Sequence, residues 1–175
     1  MHREILTEEQ LKFLPMIKSF SNDFGLVGGT AIALHIGHRR SIDFDLFTDK
    51  SFNNLAVQKK VNNFTKIESI LVKGMEELTF VAGGVKFTFF RYPYGIIYSE
   101  NVDDIIKLPD ILTLTAMKAF ALGRRAKWKD YVDLYFVMRD HHNLNEIVNK
   151  AEKIFSSEFN EKTFRVQLAY FEDVD

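Results

Sequence analysis

Phe24-Gly25-Leu26-Val27-Gly28-Gly29-Thr30 and, beyond a gap of thirteen residues after Gly29, Asp43-Phe44-Asp45 are the two runs on which the fold turns. The first reads as a short strand ending in a glycine pair, followed by a short helix from Thr30 to Ile36 that Gly37 closes. The second lies in a strand, 41–47. Side chains two apart on a strand point the same way, so Ile42, Phe44 and Leu46 share one face and Asp43 and Asp45 the other. Adjacent carboxylates repel, and keeping both ionised takes a strong positive partner. A divalent cation, Mg²⁺ or Mn²⁺, is such a partner, and Mg²⁺ commonly takes one or two carboxylates plus substrate phosphates. Gly28 and Gly29 let a phosphate approach the backbone, and Thr30 opens a helix whose first N–H groups and positive dipole end favour the same anion.

Each run has a bland reading. A lone Gly-Gly is usually a turn, and a lone Asp-x-Asp usually a solvated strand face. Their co-occurrence at strand–turn–helix and strand positions is more informative. So is the setting of the acids in Ile42-Asp43-Phe44-Asp45-Leu46, because charges inside an apolar strand are costly without a ligand. An anion cradle beside a metal-binding pair is the minimum apparatus of phosphoryl or nucleotidyl transfer.

Working outward, Thr7 with Gln10 forms a capping box that opens a helix over 7–23, although Pro15 removes a ladder bond from its middle. A helix is expected over 51–63 and strands over 66–73, 77–82 and 85–92. The last two strands join at Gly83-Gly84, a strong hairpin signal. Pro109 starts a helix that runs to Leu122 and stops at Gly123, and further helices follow over 129–139, 144–155 and 160–171. The pattern is α+β: a small mixed sheet flanked by helices, then a helical C-terminal third. The expected organisation is one domain over 1–175, with a sheet-containing core in 1–105 and a helical part in 106–175.

Composition narrows the function classes. With 175 residues, 46% hydrophobic and 27% charged, the chain is long enough for one good core, which seventeen Phe make aromatic. The absence of Cys removes disulfide scaffolds, thiol catalysis and the usual structural zinc sites. A net charge of −1 means that any nucleic-acid contact uses a local patch rather than the whole body. The acidic, helical start does not read as a signal peptide, and no apolar run reaches a membrane-spanning length, so a cytoplasmic protein is expected, with no membrane partner.

The run Gly28-Gly29-Thr30-Ala31 through Gly37-His38-Arg39-Arg40-Ser41-Ile42-Asp43-Phe44-Asp45-Leu46-Phe47 resembles the nucleotidyltransferase superfamily. More narrowly, it is similar to the AbiEii/AbiGii toxin branch, related to the MenT tRNA-modifying toxins. The resemblance extends through Asp133. It implies a nucleotidyltransferase-like core in which the Gly-Gly-Thr turn holds a triphosphate and Asp43 and Asp45 bind catalytic Mg²⁺. It further implies that Lys118, in Leu114-Thr115-Ala116-Met117-Lys118, contacts nucleotide phosphate and that Asp130 is an essential acid near it. Gly28, Gly29, Thr30, Arg39, Ser41 and Lys118 are the expected nucleotide-binding residues.

Other readings remain open for several of these. Lys118 also fits a snorkelling lysine at a core edge. Asp130 and Asp133 also fit acids at a helix N-terminus, and Asp133 suits Arg39 or Lys118 equally. Arg39 suits either a triphosphate or the Asp43/Asp45 pair. Many polymerase-like relatives carry a third carboxylate on a later strand. Between Glu77 and Glu100 this chain has none, so that ligand is missing or Thr88 or a distant Asp replaces it. The basic run Arg124-Arg125-Ala126-Lys127-Trp128-Lys129 reads either as a nucleic-acid grip with Trp128 stacking on a base or as a solvated interhelical loop. His35 with His38, or His141-His142, suits a transition metal, but His35 also reads as a helix-face histidine and His141-His142 lies just past a helix end; the aromatics of 86–94 read as core filling or as a stacking surface for a base.

The function expected from these readings is Mg²⁺-dependent transfer of NMP from an NTP to a hydroxyl. By resemblance, the acceptor is tRNA and the role is that of a toxin neutralised by an antitoxin protein. The rivals are a degenerate nucleotide- or protein-binding module and an enzyme that modifies a protein or small molecule.

Overall fold

A computed structural model describes residues 1–124 and 127–170, which fall into two compact units, Met1–Pro109 and Asp110–Asp175. Arg125 and Ala126 of the basic run, and Phe171 at the expected end of the last helix, lie outside the described residues.

In the first unit the Thr7–Gln10 capping box is present, but the expected long helix is two short ones, α1 (Glu8–Lys12) and α2 (Leu14–Ser19). Pro15 sits at the first turn of α2, where its missing N–H is harmless; a continuous helix would have needed that donor. β1 (Gly25–Val27) runs straight into α3 (Gly28–Ile36), which Gly37 ends at φ +66. β2 (Asp43–Thr48) follows, then α4 (Asn54–Val61), β3 (Ser69–Lys73), β4 (Glu77–Ala82) and β5 (Val85–Arg91). The Gly83-Gly84 turn has both residues at positive φ, as a two-residue hairpin requires. A second hairpin, β6 (Glu100–Val102) with β7 (Ile106–Leu108), was not expected from the sequence.

The main sheet is mixed, in the order β1-β2-β5-β4-β3, and only the β2–β5 pair is parallel. One face is the core. Phe44, Phe87 and Phe80 stack across three strands at 5.7 and 5.3 Å, and Phe20 of the α2 end meets Phe89 edge-on at 4.8 Å. The alternating burial of β2 puts Phe44, Leu46 and Thr48 inward and Asp43, Asp45 and Phe47 on the opposite face. Ile42, expected to extend the core face, precedes the strand and is exposed. The aromatics of 86–94 divide. Phe87 and Phe89 are buried in the core, while Phe90 and Tyr92 gather half-buried around Phe47 on the acid face.

The second unit is helical: α5 (Ile111–Leu122), α6 (Trp128–Asp140), α7 (Leu144–Phe155) and α8 (Glu161–Ala169). Pro109, expected in the first turn of α5, precedes the N-cap Asp110, whose carboxylate accepts from the Thr113 amide at 2.7 Å. Gly123 follows α5 in right-handed conformation, so it ends the helix without a left-handed turn. α7 has a second capping box, Asn143 with Glu146. Among the described residues, no helix is long and apolar enough to cross a membrane.

Candidate active site

The acid strand is held from its first residue. Thr30, in the first turn of α3, is buried, and its hydroxyl donates to the main-chain carbonyl of Asp43 and bonds the buried Ser41 hydroxyl at 2.9 Å. The side chains of Thr30 and Ser41 are thus committed to bracing the start of β2. What α3 presents to an anion is its backbone, for its N-cap, Val27, supplies no side-chain hydrogen bond. Gly28 has φ +73, and a Cβ there would collide with the carboxylate of Asp45. The glycine turn and the acid are in direct apposition, and only a residue without a side chain fits between them.

Strand register sets the rest of the site. Asp45 stands between Val27 of β1 and Thr88 of β5, and Asp43 stands beside Lys86. The Lys86 ammonium donates to Asp43 Oδ2 at 2.8 Å, with both groups partly open to water. Thr88 shares the acid face and lies 3.4 Å from the Thr79 hydroxyl of β4. The β5 residue next to Asp45 is therefore a threonine, and a lysine opposes Asp43. Sequence reading missed Lys86, because the pairing joins residues forty-three apart in the chain. Arg39 lies half-buried in the loop between α3 and β2, its guanidinium donating to the Arg40 carbonyl at 3.1 Å. His35 Nε2 lies 2.9 Å from the Pro109 carbonyl, the helix-face role expected of it.

The donor chemistry fits a hard divalent ion in part. Asp43 and Asp45 give two carboxylates on one strand face, and the remaining ligands would come from phosphate and water. Among the described residues no group of three or more His, Asp or Glu forms a protein cage.

The second unit brings together Lys118, Asp130 and Asp133. The Lys118 ammonium lies 2.8 Å from Asp130 Oδ1 and 2.9 Å from Asp133 Oδ2, with Lys118 only 9% exposed and Asp133 fully buried. Burial alone would push the Lys118 pKa down, but Asp133 and Asp130 outweigh it and hold the group above its ordinary value. The snorkelling reading of Lys118 is excluded: its charge ends in a buried ion-pair cluster with Asp130 and Asp133. Asp133, between two readings in the sequence, is placed on Lys118.

The chain is 34% identical to an uncharacterized Aquifex aeolicus protein, aq_aa25, over 96% of its own length and 84% of that protein's. Its fold is similar to that of JHP933 from Helicobacter pylori, with TM-score 0.59 and 16% identity over 94% of this chain and 90% of that one. A putative H. pylori nucleotidyltransferase gives TM-score 0.54 at 14% identity, over 92% and 90% of the two chains. The Megavirus polyadenylate synthase gives 0.53 at 12%, over 77% of this chain and 32% of that one. A family model for the nucleotidyl transferase AbiEii toxin of type IV toxin–antitoxin systems matches residues 16–111, more than half of the chain. On that match, over the residues that build the sheet, the glycine turn and the acid pair, the chain belongs to the AbiEii nucleotidyltransferase toxin family.

Proposed function

We propose that this chain transfers a nucleoside monophosphate from an NTP to a hydroxyl of an RNA acceptor. The family resemblance favours tRNA, a cytoplasmic setting and an antitoxin protein as partner. The observation that carries the reading is the apposition of Gly28 to Asp45 on the face that also bears Asp43. A phosphate chain seated on the amides at the start of α3 would meet the Asp45 carboxylate across Gly28, beside a strand whose backbone at Asp43 is braced by Thr30.

In the reaction, the acceptor oxygen forms a bond to the α-phosphorus while the bond to the pyrophosphate oxygen breaks. Pyrophosphate leaves, and a carboxylate oxygen of the Asp43/Asp45 pair takes the hydroxyl proton. Asp43 and Asp45 would hold Mg²⁺ or Mn²⁺, which when bound lowers the pKa of the attacking hydroxyl and offsets phosphate charge. Gly28 and Gly29 contribute close backbone approach. Lys118 and Asp130 enter this reading as phosphate cation and essential acid through the resemblance alone.

One observation favours a second reading, a degenerate nucleotide-binding module: Lys86 stands against Asp43, on the strand that carries no acid. The same experiment separates the two. The full chain is incubated with each labelled NTP, Mg²⁺ and total RNA, alongside Asp45→Asn. Label on RNA that disappears in the variant supports the transferase. Label on the protein points to a protein-modifying enzyme. Metal-dependent NTP binding without any transfer establishes the binding module.

A further inference from the structure

Helix α6 presents two unlike sides. Asp130, Tyr131, Asp133, Leu134 and Val137 are buried, whereas Trp128 is 59% and Tyr135 57% exposed. At about 3.6 residues per turn, Trp128, Val132, Tyr135 and Arg139 fall along one line on the outer side. Trp128 and Tyr135 are two turns apart, roughly 10 Å along the axis. Arg139, bonded to Asp140, lays its guanidinium 4.7 Å from the Phe136 ring centre and 5.7 Å from that of Tyr135, which extends the flat surface. Lys127 and Lys129 flank Trp128, both exposed, and no carboxylate among the described residues pairs with either.

This placement is unfavourable in isolation. Two ammonium groups sit at the positive end of a helix dipole. The one acid of the first turn, Asp130, is turned inward to Lys118. A ligand that relieves it must bring planar faces for Trp128 and Tyr135 together with negative charge for the lysines. Unpaired nucleotides do both, since each carries a base with two open faces and a phosphate. A duplex keeps its bases stacked and offers only the charge. An acidic polypeptide offers charge without regular planar groups.

We propose that the outer face of α6 binds a single-stranded stretch of the RNA acceptor, with Trp128 and Tyr135 as stacking platforms and Lys127 and Lys129 as phosphate contacts. This rests on the reading of the chain as an RNA-directed nucleotidyltransferase. Trp128 is the only tryptophan in the chain, so its emission reports on the platform directly.

The test titrates the full chain with oligouridylate. Quenching of Trp128 emission that weakens with added salt is expected. Replacing both lysines with Ala flattens the plot of log affinity against log salt by about 1.4, at roughly 0.7 per phosphate contact on a single strand. Trp128→Ala weakens binding of end-labelled oligouridylate about tenfold or more, with NTP binding unchanged. Oligouridylate that leaves the emission unaltered, or a Trp128→Ala chain that binds it as tightly as the parent, overturns the proposal. So does quenching by polyglutamate but not by oligouridylate, which assigns the face to an acidic protein. Quenching and lysine-dependent RNA binding without nucleotide transfer keep the platform and remove the enzymatic reading. Transfer to RNA with the same KM in Trp128→Ala keeps the enzyme and removes the platform.

Discussion

Replacing Lys118 with Met tests the buried cluster of the helical unit most sharply. The substitution keeps the length and apolar stem of the side chain and removes only the charge. Two carboxylates that shared one ammonium at 2.8 and 2.9 Å are left as close buried neighbours. At an effective dielectric constant near 20 and the 2.8 Å contact, the gross attraction lost per ion pair is about 6 kcal/mol, which the desolvation of the ions offsets in large part. Removing one partner from a buried ion pair costs about 3–5 kcal/mol in proteins generally. For a chain of this size the melting temperature should fall by roughly 6–20 °C. Urea unfolding followed through Trp128, which opens the helix that carries both acids, measures the loss directly.

The pH dependence separates an electrostatic cause from a packing one. In the parent, the Lys118 pKa is raised above 10.5, so its contribution is complete below that value and is lost only as pH rises through the still higher folded value. Between neutrality and about pH 10 the parent therefore loses nothing through this group. The deficit of Lys118→Met should therefore narrow only as pH rises above about 10.5, where the parent begins to lose its own ammonium. Adding Asp133→Asn should cost less than the sum of the two single changes, because both remove the same ion pair. A Lys118→Met chain within about 1 kcal/mol of the parent at neutral pH, or a deficit that ignores pH, would refute the account.

Gly28→Ala places a side chain at positive φ against Asp45; it should cost about 1–3 kcal/mol in urea unfolding and strongly reduce NMP transfer, and undiminished transfer would contradict the apposition. Lys86→Gln should strengthen Mg²⁺ binding in calorimetry by removing the competing cation, while stability moves by less than about 1 kcal/mol because the pair is half exposed. Weaker Mg²⁺ binding in that variant would count against Asp43 as a ligand. Phe87→Ala should cost about 3–5 kcal/mol, and Phe90→Ala, on the half-buried acid face, clearly less; equal losses in thermal melts would mean that the two faces are not as distinct as the burial pattern says.

What could be read from the sequence was local. The alternation of 43–47 marks a strand with two unlike faces, Gly37 marks a helix end, Gly83-Gly84 a hairpin, and Leu144–Phe155 a helix whose limits agree with the structure. The acid pair and its glycine turn were visible because both lie within twenty residues. The ion-pair partner of Asp43 was not. Lys86 meets Asp43 only through the parallel β2–β5 pairing, with a helix and two strands between them, whereas Thr88, beside Asp45, was already a candidate in the acid-free strand. The β6–β7 hairpin escaped because its strands have three residues each and its turn uses Asp103 and Asp104 at positive φ, where glycine would have announced it. Thr30 was read as a phosphate ligand from its place at a helix start; nothing in the sequence reveals that its hydroxyl is turned towards the Asp43 carbonyl.

The same strand that carries the acids is the middle of the aromatic core, and this couples the site to the fold more tightly than a loop-borne site would. Asp43 and Asp45 flank Phe44, which stacks on Phe87 and through it on Phe80. A slip of β2 by one residue would bury both carboxylates and expose Phe44 and Leu46, so packing on one face fixes orientation on the other. The Thr30 brace acts at the remaining free end, tying the strand's first carbonyl to the first turn of α3, whose Gly28 touches Asp45. The acid pair is therefore held from below by the phenylalanine stack and from the side by the glycine helix. Two like charges stay aimed in one direction because packing fixes the register of β2, so the face proposed to take a cation and its phosphates is formed by the fold itself.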